Sequence, residues 1–337
     1  MEQVAGARPF PIVMYHYVRP IARGLYPGIK GLEAEDFRSQ VRYLKRHHTI
    51  VPMEALVDAM AGGEALPENP CVLTFDDGYS DHYRYAFPIM ASEGVTGAFY
   101  PPRSVVEERK VLEVNKVHFT LALSDDIDAL EAKVDDGIEQ ERRNGAELPT
   151  IDALKKELRH DGRFDPAGII YIKRVLQHAL PDDVRARIAD KLFREVVTED
   201  EEAFAEELYL SVDQAKVMLD GGMHFGGHGD RHLWHSKIGE DGQRAEIEGA
   251  NRILDLIGVP EGGRTYCYPY GDHDETTLRL LGEYGYAAGF LAKPGLTDPA
   301  NEHRFQLSRL DTNDLPKSVD SAPNGWTRRA LGERADG

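Results

Sequence analysis

The sequence predicts an α/β fold, barrel-like in arrangement and interrupted by a large helical insertion. Three observations carry this. Residues 71–100 run strand, helix, strand, which implies neighbouring parallel strands joined by a right-handed crossover. The same alternation returns from Met223 and continues to Leu310. Between the two stretches, residues 105–210 are strongly charged and carry helical repeats such as "DALEAKVDDGIEQERR" and "DDVRARIADKLFREVV".

The elements follow in order. "FPIVMYHYV", residues 10–18, is an apolar and aromatic run between prolines and reads as a buried strand ending near His16. A Gly- and Pro-rich loop follows, and then Phe37, Val41 and Leu44 recur at helical spacing, giving a helix over about 33–47. "MEALVDAMA" is a short helix, "CVLTF" a strand, and residues 80–93 a helix stopped by Gly94 before the strand "VTGAFY". From Met223 the expected elements are strand "MHFGGH", helix 241–256, strand "TYCYPY", helix 275–284, and strands "YAAGFLA" and "RFQLSRL". Inside the insertion, "KVHFTLALS" is apolar enough to dock on the barrel, while the charged helices present solvated faces. The expected organisation is a discontinuous barrel over 1–104 and 211–317, an insertion over 105–210, and a C-terminal tail over 318–337 with little apolar content beyond Trp326.

Composition bounds the function. The chain has 40 Lys plus Arg against 58 Asp plus Glu, a net charge of -18, which argues against nucleic acid as a partner. The two cysteines, Cys71 and Cys267, lie in strand-like stretches and do not make a disulfide framework. The N-terminus lacks an apolar export segment and no stretch approaches a membrane span, so a cytoplasmic location is expected.

The chemistry concentrates at strand ends. Asp76 and Asp77 close an apolar strand, where α/β sheets and barrels place reactive groups. Taken alone, the pair reads equally well as a helix cap and a solvated neighbour. "HFGGHGDRHLWH" decides between these: His228 and His232 stand four apart, a spacing that puts two imidazoles on one helical face. With one carboxylate they make a three-ligand site that leaves a position for water or substrate, and the other Asp is then a base toward that water. An ion there also offsets the repulsion between adjacent carboxylates.

"TFDDG" (74–78), "HGDRH" (228–232) and "YPYG" (268–271), in that order on α/β strands, resemble the polysaccharide deacetylase family, the NodB-homology group or carbohydrate esterase family 4. The resemblance covers about 8–102 and 211–312 and leaves the insertion outside it. It implies a deformed (β/α) barrel, a divalent metal, usually zinc with cobalt, nickel or manganese as alternatives, and hydrolysis of an N-acetyl group. By the same resemblance Asp76 is the general base, Asp77, His228 and His232 are the metal ligands, and the backbone N–H of Tyr270 completes the oxyanion site.

The chain also departs from the family pattern. Gly229 stands where Ser or Thr usually follows the first histidine, so a hydrogen bond must be supplied otherwise, for which Asp230 is a candidate. Cys267 replaces the arginine that orients the catalytic Asp, leaving Arg264 or Arg309 as substitutes. Arg309 also occupies the place of a late general-acid histidine, and arginine cannot deliver a proton at neutral pH. His16, at the end of the first strand, is either a buried satisfied residue or a substrate contact. It is the suggested acid, with His235 and His303 behind it.

The expected function is removal of an N-acetyl group from an amino sugar or glycan precursor rather than a finished polymer. The alternatives are a deformylase or cyclic-imide hydrolase on the same metal site, or a non-catalytic glycan-binding protein. The insertion is expected either to narrow an otherwise open groove or to mediate homo-oligomerisation.

Overall fold

The computed structural model describes residues 8–162 and 165–333. Residues 1–7, on which part of the cytoplasmic expectation rests, and 334–337 of the tail lie outside the described residues. The chain divides into two compact units. The first comprises residues up to Pro20, Gly31–Arg109 and Glu206 onward; the second comprises Ile21–Lys30 and Lys110–Ala205.

In the first unit the strands are β1 (Ile12–Tyr15), β2 (Val18–Arg19), β3 (Leu32–Glu33), β4 (Thr49–Ile50), β5 (Pro70–Asp76), β6 (Ala98–Tyr100), β7 (His224–Phe225), β8 (Thr265–Cys267), β9 (Ala288–Pro294) and β10 (Leu307–Asp311). All seven residues of β5 are buried, which explains why it is apolar on both faces up to Asp76 apart from Thr74, whose hydroxyl donates to the Val13 carbonyl at 2.8 Å. The main sheet runs β7-β6-β5-β1-β10-β9-β8, with β4 paired to β5 and a separate β2-β3 ladder. Its two ends meet through a parallel bridge between Gly227 and Tyr266, where the Gly227 N–H donates to the Thr265 carbonyl at 2.8 Å and the Cys267 N–H to the Gly227 carbonyl at 2.9 Å. The sheet is therefore a nearly closed, deformed barrel of parallel strands, as the sequence predicts.

Register at the heart of the barrel is locked by an aromatic ladder. Tyr15, Phe75 and Phe99 are direct neighbours on β1, β5 and β6 and stack at 5.0 and 4.6 Å. Each such pair contributes about 0.5–1.5 kcal/mol beyond its buried area. The next residue on β5 is Asp76, so the ladder fixes the height at which the carboxylate leaves the sheet.

Helix and strand positions follow the apolar periodicity, with two differences. The expected 80–93 helix begins as a π-turn over His82–Ala86 and becomes α-helical only over Phe87–Glu93. Such turns are common beside functional sites. The expected strand "MHFGGH" pairs regularly only at His224–Phe225 before the chain leaves the sheet as a loop. The tail contributes a helix, Gly325–Ala330, whose buried Thr327 hydroxyl pairs with that of Tyr43 at 2.9 Å.

The second unit is helical and has its own core, built from Val117, Leu130, Val134, Ile138, Leu154, Tyr171 and Ile188 among others. "KVHFTLALS" lies on the helix Glu113–Leu123, and its Val117 and Phe119 are spent inside this unit: Val117 in that core, Phe119 edge-on to Phe204 at 4.9 Å. Residues 21–30, counted with the barrel on sequence grounds, group with the helical unit instead. Tyr26 packs edge-on to Phe119 at 4.9 Å, and Lys30 pairs with Asp165. None of the described helices is long and apolar enough to cross a membrane.

Candidate metal centre

Strand ends of the barrel bring the chemistry together. Asp76 ends β5, His16 follows β1, Cys267 ends β8, Arg309 lies in β10, and His228 and His232 sit on the loop after β7. The glycine of "FDDG" is required by space as well as by backbone: Gly78 has φ +68°, and a Cβ there would lie 2.7 Å from Pro101.

Asp77 Oδ1 lies 3.3 Å from His228 Nε2 and 3.3 Å from His232 Nε2. All three residues are buried, and one donor atom from each lies within 4.8 Å of the others. Asp77 Oδ1 is a buried oxygen without a hydrogen-bond partner among the described residues. Its other oxygen accepts from the Tyr79 hydroxyl at 2.6 Å, which fixes the carboxylate plane. The His228 ring is oriented by Nδ1 against the Cys267 carbonyl at 2.8 Å. One carboxylate oxygen and two imidazole nitrogens converging in a buried site fit a divalent cation of the zinc type.

The electrostatics of Asp77 and His232 agree with that fit. Burial raises the Asp77 carboxyl, but His228, His232 and His16 outweigh it and hold it well below the usual carboxylate range. Burial lowers His232 below its ordinary value despite Asp77, which favours the neutral ligating form. Burial also pulls His228 down, yet Asp77 and Asp76 prevail and raise it.

The imidazoles do not share a helical face. Residues 228–232 are a loop, and His232 itself has φ +61°. Among the described residues five non-glycines have positive φ, and three of them, Asp77, His232 and Tyr270, are at this site. Each costs on the order of 1 kcal/mol or more, and such strain persists where surrounding structure over-determines it.

Asp76 is held by Arg309, which is 1% exposed. Arg309 Nη1 and Nη2 donate to the two carboxylate oxygens at 2.9 and 2.6 Å, while Nε donates to the Leu291 carbonyl at 2.8 Å. Burial raises the Asp76 carboxyl, but the Arg309 guanidinium more than offsets this and brings it down to about 2. Of the two arginines open from sequence, Arg264 is engaged elsewhere, with Asp255, Asn251 and the carbonyls of Val259 and Pro260. Burial pushes the Cys267 thiol well above its ordinary range, so Cys267 faces Asp76 and Arg309 as a neutral S–H.

His16 is half-buried, its carbonyl accepts from His82 Nε2 at 2.9 Å, and its ring is near enough to lower both Asp76 and Asp77. The other two acid candidates are spent. His235 is fully buried with Nε2 on the Tyr266 hydroxyl and Nδ1 on the Leu233 carbonyl, and burial takes it to about 4. His303 is exposed and accepts from the Phe305 N–H. Tyr270, φ +59°, has its ring stacked on Trp234 at 4.3 Å and edge-on to His232 at 4.6 Å. Asp230 does not support His228; it pairs with Arg103.

Comparison with known proteins points to one family over part of the chain. Residues 196–289, which include both histidines and Tyr270, match the polysaccharide deacetylase family model. Over that stretch the chain is similar to the polysaccharide deacetylases. YxkH of Bacillus subtilis (strain 168), named as a polysaccharide deacetylase, is 30% identical over 93 residues, 27% of this chain and 30% of that protein's length. Among solved structures, the Streptococcus pyogenes deacetylase PplD superposes with a TM-score of 0.58 at 16% identity, covering 94% of this chain and 96% of that one. IcaB from Ammonifex degensii gives 0.53 at 18%, covering 97% and 98%. At these identities the structural likeness establishes the fold alone.

Proposed function

We propose that the chain is a metal-dependent hydrolase that removes an N-acetyl group from an amino sugar or glycan precursor. The carrying observation is the convergence of Asp77, His228 and His232 beside a second carboxylate, Asp76, clamped by Arg309. A divalent ion, zinc by preference, held by those three residues would polarise the amide carbonyl and lower the pKa of water toward neutrality.

Asp76 then accepts the proton of the attacking water. Arg309 uses one lone pair on each Asp76 oxygen, and each oxygen keeps another for the incoming proton. The Tyr270 N–H serves the developing oxyanion, held there by the strained backbone at that residue. His16 returns a proton to the leaving amine, so that amide and water become acetate and a free amino sugar. If so, His16→Ala loses the limb of the pH–rate profile that falls as pH rises; an unchanged limb assigns the acid elsewhere.

Both cysteines are buried and unpaired, in keeping with action in the cytoplasm on a small or carrier-linked precursor. The expected result of a substrate panel is acetate release from N-acetylated monosaccharides or their nucleotide- or lipid-linked forms, abolished by chelation. Release of formate instead would favour the deformylase reading. No release from any amide by metal-replete protein would favour a glycan-binding role.

A further inference from the structure

Gly229 leaves the loop between the two histidines without the hydroxyl expected there, and the structure shows what stands in its place. Gly229 has φ +75°, and a Cβ built on it would lie 2.5 Å from Glu246 Oε2. Glu246 projects from the helix Glu240–Ile257 and is 1% exposed. Its Oε2 accepts the backbone N–H groups of Asp230 and Arg231 at 3.1 Å and of Leu233 at 3.4 Å, and Oε1 accepts from Arg231 at 3.2 Å. The helix comes close enough because Gly249, one turn on, has no side chain: a Cβ there would lie 2.5 Å from Asp230 Cβ.

We propose that Glu246 is a positioning residue for the metal centre, a buried carboxylate that gathers three backbone N–H groups around His232 and holds the loop in ligating shape. This rests on the metal reading above. Three donors converge on one carboxylate, and they belong to the residues on both sides of His232. The left-handed backbone of His232 would relax without such a clamp, swinging the imidazole away from Asp77. The opposite side of the loop is secured independently, since the Gly229 and Asp230 carbonyls accept from the N–H groups of Arg103 at 3.3 Å and Ser104 at 2.9 Å. Losing Glu246 therefore loosens the His232 end in particular.

The test is zinc affinity of metal-free protein, measured by competition with a chromogenic chelator, for wild type, Glu246→Gln, Glu246→Asp and Asp77→Ala, with thermal unfolding of each metal-free form. The glutamine keeps the size but offers one acceptor oxygen and turns an NH₂ toward backbone donors. Groups that orient ligands typically contribute roughly 10–100-fold in affinity, and E246Q is expected to lose that much per folded molecule. E246D keeps the charge with a shorter reach and is expected to lose about tenfold, which decides the matter should E246Q not fold. Affinities of both within twofold of wild type, with D77A strongly weakened, would overturn the role of Glu246 alone. An unchanged D77A would remove the metal reading, and this proposal with it.

Discussion

Replacing Arg309 with leucine is expected to be the most damaging single change in the barrel. Arg309 and Asp76 are 1% and 2% exposed, and the guanidinium satisfies both carboxylate oxygens. Leucine leaves Asp76 as a buried charge without a partner, a situation that costs about 3–5 kcal/mol. It also frees the Asp76 carboxylate to rotate, and misplacement of a reacting group by about 1 Å costs on the order of 10²-fold in rate. Denaturant unfolding and acetate release should therefore both report the loss. Arg309→Lys keeps the charge but not the two parallel hydrogen bonds, and should recover part of the stability and little of the rate. Wild-type turnover in R309L would contradict the role given to the pair.

Asp76→Asn is expected to abolish turnover by about 10²–10⁴-fold, the usual contribution of a general base, while zinc affinity stays within a few fold of wild type. The separation arises because Asp77, not Asp76, puts an oxygen 3.3 Å from both imidazole Nε2 atoms. The amide offers Arg309 only one acceptor, so D76N should also lower stability. Because the two residues form one network, the double variant with R309L should cost less than the sum of the single changes. Loss of zinc in D76N comparable to that in D77A would instead make both aspartates ligands.

Much of this was legible in the chain because the strands are buried and parallel. A largely apolar run ending in two carboxylates marks both the strand and the end that carries chemistry, and residues 70–77 do this plainly. His228 and His232 were legible for a different reason than helical spacing supplies. The loop reaches the same convergence through left-handed Gly229 and His232, conformations that spacing does not reveal. Arg309 could be narrowed to two arginines, but only the pairing of β10 with β1, and of β1 with β5, shows that it faces Asp76. Glu246 was invisible, since an acid on an amphipathic helix reads as solvated surface; the signal that could have found it is the glycine where a hydroxyl was expected. Residues 21–30 read as a barrel loop, yet Tyr26 packs with Phe119 and Phe204, a partnership between distant segments that periodicity does not encode.

The most direct measurement is the zinc content and coordination of purified protein, by elemental analysis and X-ray absorption, in wild type and in D77A and His228→Ala. One zinc per chain, with only nitrogen and oxygen neighbours and a two-imidazole signature lost in both variants, is the predicted result. Wild type without stoichiometric divalent metal under replete conditions, or variants that retain the same zinc spectrum, would contradict it.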